Sequence, residues 1–193
     1  MNFSEHLNSD NLKEFEYYSD QIKNFENLNQ GIHGINHLLR VLLFTIVIGN
    51  ALELSGKNKN IICTSAIYHD IGRKNDNNDA LHGLLSWRKI KPFIEEEFEK
   101  DDLNIIKYVI ENHCVPDETA RKNIQNYPIE DKTYAQYLLS IVKDADSLDI
   151  IRLGFFDKKY LNHEISKKII NFAQYMNRLD SGIQHLDRVL NNY

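Results

Sequence analysis

The stretch Ala66-Ile-Tyr-His-Asp-Ile-Gly-Arg-Lys74 puts a histidine and an aspartate side by side where an apolar run stops. On a strand the two side chains would face opposite ways, and on a helix they sit about 100° apart. Two metal-capable groups at the end of a hydrophobic segment, followed by Gly, Arg and Lys, raise the question of what else in the chain meets them.

Around this stretch the pattern is helical. Three prolines and eight glycines are spread over 193 residues, and alternation of apolar with polar residues is nearly absent. Leu12, Phe15, Ile22 and Phe25 recur at helical spacing and predict a helix over 11–29. Gly31 and Gly34 end it, and a second helix is expected over 36–54, apolar on all sides in its middle and therefore buried. A third is expected over 59–71, carrying the quoted stretch and ending near Gly72. Further helices are expected over 80–90, with Pro92 interrupting the chain, and over 101–112, with Asp101 or Asp102 capping the first turn. Pro116 and Pro128 bracket a loop-rich segment, followed by helices over 132–149 and 164–190. The fold class expected is all-α, a single helical domain: 1–30 an N-terminal extension packed on the core, 31–154 the core, and 155–193 a C-terminal extension.

The totals exclude several classes. A net charge of -5 argues against a broad nucleic-acid-binding face. The most hydrophobic run, 38–48, contains Arg40 and is far shorter than the roughly 20 residues of a membrane span. Cys63 and Cys114 do not make a disulfide framework, and Cys63 lies in an apolar run. The start MNFSEHLNSD has neither a basic region nor an apolar core, so no signal peptide and a cytoplasmic location are expected.

Five of the eight histidines fall in four segments: His33 and His37 in HGINHLLRV, His69 in YHDIGRK, His82 in ALHGLLSW and His113 in IENHC. The acidic candidates are Asp70 and the run Asp144-Ala-Asp146-Ser-Leu-Asp149. Each sits at or near one end of an apolar helix, and a helical bundle can gather ligands from several helices. Imidazole with carboxylate suits Mn, Fe, Zn or Mg, softer metals less so because no thiolate joins the set. A lone helix-end histidine is more often a cap or surface residue, and His6, His163 and His185 are read that way.

The order of these segments resembles the HD-domain superfamily of metal-dependent phosphohydrolases, over residues 33–153. HGINHLLRV is similar to that family's opening histidine helix, IYHDIGR to its name-giving motif and VKDADSLD to its distal aspartate motif. The resemblance implies His37, His69, Asp70 and Asp146 as ligands of a divalent metal ion, with Asp144 as fallback to Asp146. It implies Asp70 as the group that also orients the attacking water, and Arg73, Lys74 or Arg40 as cations facing phosphate. Arg40 has an equal claim as the partner of an acidic residue. His82 and His113 are expected either to complete a second metal site or to contact phosphate and protonate a leaving group. His33 has similar status. The alarmone hydrolases of this superfamily carry a Glu-Asp pair where Arg73 and Lys74 stand, which counts against their reaction. The nucleotidases use further acidic residues, for which Asp76 and Asp79 are the available substitutes.

The implied function is hydrolysis of a nucleotide or other small phosphate ester through a metal-activated water. A phosphodiesterase for a cyclic or conjugated nucleotide is the alternative, and a non-catalytic nucleotide-binding module a third reading. The implied partner is a small phosphorylated substrate, with no nucleic acid and no membrane. Tyr68, Trp87 and Tyr127 are candidates for stacking on a base, and residues 155–193 for a lid, added packing or the surface of a homodimer.

Overall fold

The computed structural model describes residues 8–22, 31–54, 56–77 and 81–178, and every secondary-structure element among them is helical. In chain order the α-helices are α1 (Ser9–Gln21), α2 (Ile35–Ala51), α3 (Gly56–Tyr68), α4 (His82–Ile94), α5 (Lys100–Asn112), α6 (Asp117–Asn123), α7 (Lys132–Ile150), α8 (Glu164–Lys168) and α9 (Ile170–Arg178). The all-α bundle expected from the sequence is what the chain forms.

The bundle is organised by α2. Every residue from His37 to Gly49 is buried, so this helix has no solvent face and must be wrapped. It is packed by α3 and α7 on its long sides and by α1 and the α8–α9 pair elsewhere, while α5 lies against α3 and α7 and α4 lies against α5. Phe44 of α2 meets Phe172 of α9 edge to face, with ring centroids 6.1 Å apart. Cys63 is fully buried in α3, as its apolar neighbours implied.

Several boundaries differ from expectation, each for a physical reason. Residues 23–29 of the first expected helix, Asp79, His6, His185 and residues 179–190 of the last expected helix lie outside the described residues. The expected helix over 59–71 starts earlier and stops at Tyr68, leaving His69 and Asp70 in the turn beyond it. Pro92 does not interrupt α4 but sits inside its last turn. Pro92 and Arg88, whose carbonyl loses its helical donor, are both exposed. Neither Asp101 nor Asp102 caps α5, whose first residue is preceded by Glu99 without a side-chain cap. Asp101 instead accepts from the Glu130 amide, and Asp102 pairs with Lys57 at 2.8 Å. The segment bracketed by Pro116 and Pro128 is not loop-rich: Pro116 precedes the short α6, which continues as a 3-10 turn over Ile124–Asn126. The expected helix from residue 164 is split between α8 and α9 at Ile169.

Candidate metal centre

His69 and Asp70 come together because α3 has ended. They occupy a turn closed by Ile71 N–H to Tyr68 O at 3.4 Å and by Arg73 N–H to Asp70 O at 3.0 Å. The His69 ring bends back so that Nδ1 donates to the Ala66 carbonyl at 2.7 Å. A carbonyl only accepts, so Nδ1 carries the proton and Nε2 presents a bare lone pair. That lone pair points at Nε2 of His37, 3.0 Å away. The other nitrogen of His37 is 2.7 Å from the Asp149 carboxylate, which fixes its proton there.

Two bare ring nitrogens this close repel unless a cation lies between them. Burial opposes charge on His37, but the carboxylates of Asp149 and Asp70 outweigh it and raise the pKa to about 10. His69 is driven the other way by burial, to about 4, and remains the acceptor. Asp70 Oδ2 is 3.5 Å from His37 Nε2 and 3.8 Å from His69 Nε2, and Asp146 Oδ1 is 3.6 and 3.9 Å from the same two atoms. His37, His69 and Asp70 offer ligand atoms within 4.8 Å of one another, Asp146 Oδ1 stands near both imidazoles, and imidazole with carboxylate is a donor set that suits a divalent cation. His37, His69, Asp70 and Asp146 are thus brought together as the sequence motifs implied.

A second cluster shares Asp70. Its other oxygen, Oδ1, is 3.1 Å from His82 Nε2 and 3.2 Å from His113 Nε2, and those two nitrogens are 2.9 Å apart. His113 lies just past the end of α5 and donates Nδ1–H to the Ile110 carbonyl at 2.7 Å, leaving Nε2 bare. Burial opposes charge on His82, yet hydrogen bonding to Asp70 raises its pKa to about 10. Asp70 is buried, which by itself disfavours its charge, but the four surrounding histidines hold its pKa well below the ordinary carboxylate value. His82, His113 and Cys114 offer ligand atoms within 4.8 Å of one another. The sequence reading had left both cysteines out of the ligand set.

Close backbone packing positions this cluster. A Cβ on Gly72 would run into the backbone of Leu85 and Ser86 in α4, and one on Gly83 would lie 2.5 Å from the Ile110 carbonyl of α5. The Gly72 amide donates to Ser86 Oγ at 2.9 Å, and Lys89 Nζ donates to the Ile71 carbonyl at 3.1 Å, tying the turn to α4.

The remaining candidates separate cleanly. Asp144 is buried and accepts from the Asn162 amide at 2.7 Å and the His163 amide at 2.9 Å. Two residues correspond to about 200° of helix, so it faces away from Asp146, and the fallback assignment is set aside. Asp149, one turn beyond Asp146, is on the site side and gathers His37, Arg40 and Arg152, the last at 2.8 Å. Arg40 is therefore the buried partner of an acidic residue. Arg73 donates Nε–H to Asp70 Oδ2 at 2.8 Å and another N–H to the Asn77 carbonyl at 3.1 Å, so it braces the Asp70 carboxylate. Lys74 is exposed.

His33 pairs with Asp76 at 3.0 Å, and Asp76 also accepts from the Ile32 and His33 amides. Tyr68 and Trp87 are buried in the core, and Tyr127 is engaged with Glu111 and Asn112, so none is placed for stacking on a base. His163 bonds Ser140 at 2.8 Å, away from the site. A cavity of about 340 Å³ opens beside His37 and is lined also by Arg40, Asn36, Asp76 and Arg152. The sequence reading had named neither Arg152 nor the role of Asp149. The i, i+3 spacings of His37 with Arg40 and of Asp149 with Arg152 were the available signal.

A helical bundle with histidines on four segments converging on an HD turn defines the class. Residues 34–151 match the HD domain, and the chain belongs to that family, a superfamily of metal-dependent phosphohydrolases whose members bind divalent metals. An uncharacterized protein of Clostridium beijerinckii is 34% identical over 106 residues, covering 53% of this chain and 67% of that one. No solved structure matches significantly. Among the described residues no helix is long and apolar enough to cross a membrane.

Proposed function

We propose that the protein is a metal-dependent phosphohydrolase acting on a nucleotide or another small phosphate ester. The observation that carries the reading is the division of Asp70: one oxygen faces His37 and His69, the other His82 and His113. A bound divalent cation supplies a water of lowered pKa and neutralises charge on a phosphoryl oxygen. The chain's own groups do the rest. Asp149 and the Ala66 carbonyl hold His37 and His69 in the tautomers that present Nε2. Arg73 fixes the Asp70 carboxylate, which is placed to orient the attacking water. Arg152, on the wall of the cavity beside His37, is placed to meet negative charge on the substrate. A count of two metals, the second at His82 and His113, would favour the phosphodiester alternative.

The test is a hydrolysis screen with Mn over cyclic, conjugated and simple nucleotides, run alongside metal analysis. Turnover that disappears in Asp70→Ala together with bound metal is the expected result. Undiminished hydrolysis in that variant removes the mechanism, and tight binding of one nucleotide without any turnover makes the protein a binding module instead.

A further inference from the structure

We infer that Cys114 is a metal ligand, so that the second cluster is a nitrogen–sulfur site of different metal preference from the first. This rests on reading the groups around Asp70 as cation centres. The argument comes from a repeated local design. The pair His69–Asp70 occupies the first two residues past the end of α3, and His113–Cys114 occupies the first two past the end of α5. In each pair the histidine turns back to donate Nδ1–H to the carbonyl three residues earlier, at 2.7 Å in both. In each, the adjacent residue reaches the same cluster as its histidine. Cys114 therefore stands in the second cluster where Asp70 stands in the first.

Its surroundings suit a thiolate. The sulfur is hydrogen-bonded to His82 and to the backbone of Gly83, the residue seated against α5. A backbone N–H directed at sulfur is the kind of outer contact that orients a metal-bound thiolate. The ligand atoms of His82, His113 and Cys114 lie within 4.8 Å of one another, so all three are offered to one small volume. A thiolate with two imidazoles favours Zn, Fe or Co, whereas His37, His69, Asp70 and Asp146 form a harder set that also accepts Mn or Mg. The two positions are thus built to hold unlike ions, with Asp70 facing both.

Titration of the metal-free full chain with Co(II) tests the assignment. Wild type should take two equivalents, one accompanied by a near-ultraviolet thiolate-to-cobalt charge-transfer band. Cys114→Ser should lose the band and weaken that equivalent by about 10–100-fold, while Cys63→Ser keeps both. His37→Ala should lose the other equivalent and retain the band. Cys114→Asp, which copies the first pair, should recover the second equivalent without the band and so covers the case of a serine variant that folds poorly. A wild-type complex without the band, or a band that survives in Cys114→Ser, overturns the proposal. A band in a protein that hydrolyses nothing upholds the ligand assignment and removes the phosphohydrolase reading. Hydrolysis without the band does the reverse.

Discussion

Replacing Asp149 by Asn separates what the carboxylate does for folding from what it does for the metal. Asp149 is 1% exposed and accepts from His37, Arg40 and Arg152. Arg40 is almost as deeply buried, so neutralising its partner strands a guanidinium in the core. Breaking a buried pair in this way costs about 3–5 kcal/mol. For a chain of this size that corresponds to a fall in Tm of roughly 6–20 °C, read by calorimetry or circular dichroism. The same change loosens the Nδ1 contact of His37, which should weaken metal binding at the first cluster by about 10–100-fold. Combining Asp149→Leu with Arg40→Met removes both charges, and that double variant should recover most of the Tm while metal affinity stays low. A Tm for Asp149→Asn within about 2 °C of wild type would refute the burial argument. Recovery of metal affinity along with Tm in the double variant would refute the orienting role.

Asp146→Ala should strip metal from the first cluster with little loss of stability, since the side chain is 26% exposed, whereas Asp144→Ala should cost about 1–3 kcal/mol and leave metal content unchanged; thermal melts with elemental analysis decide between them. Gly83→Ala should destabilise by about 1–3 kcal/mol, because the new methyl meets the α5 backbone; a variant that melts like wild type would mean that α4 shifts freely. Metal affinity should rise with pH from 6 to 9. His37 and His82, both raised to about 10 by neighbouring carboxylates, hold protons that a metal must displace, and calorimetry in buffers of different ionisation enthalpy should register their release. Affinity independent of pH would show that neither histidine is a ligand.

The helical class was legible because the apolar runs keep helical spacing and few residues break them. The first cluster was legible because its residues stand in a familiar order, although their meeting spans more than a hundred positions of chain. What escaped depended on where helices stop. Cys114 follows His113 by one residue, a step of about 100° on a helix, so spacing alone gave no sign that both side chains reach one cluster. The same applies to His69 and Asp70, expected on the helix and found beyond it. Asp149 was visible as one of three acids in a short run, but its pairing with Arg40 joins α7 to α2 across 109 positions, a relation that no local spacing encodes. Asp144 was separated from Asp146 by helical phase, which becomes decisive only once the side of α7 facing α2 is known.

Gly72 in the turn before α4 and Gly83 in its first turn carry a last consequence. Gly72 rests on one stretch of main chain and Gly83 on another, so α4 acts as a shim whose thickness is backbone alone. Rotamer changes cannot alter such a gauge. The interval between the two halves of the centre is therefore set by van der Waals contact of main chain on main chain, and should stay constant whatever occupies the neighbouring cavity.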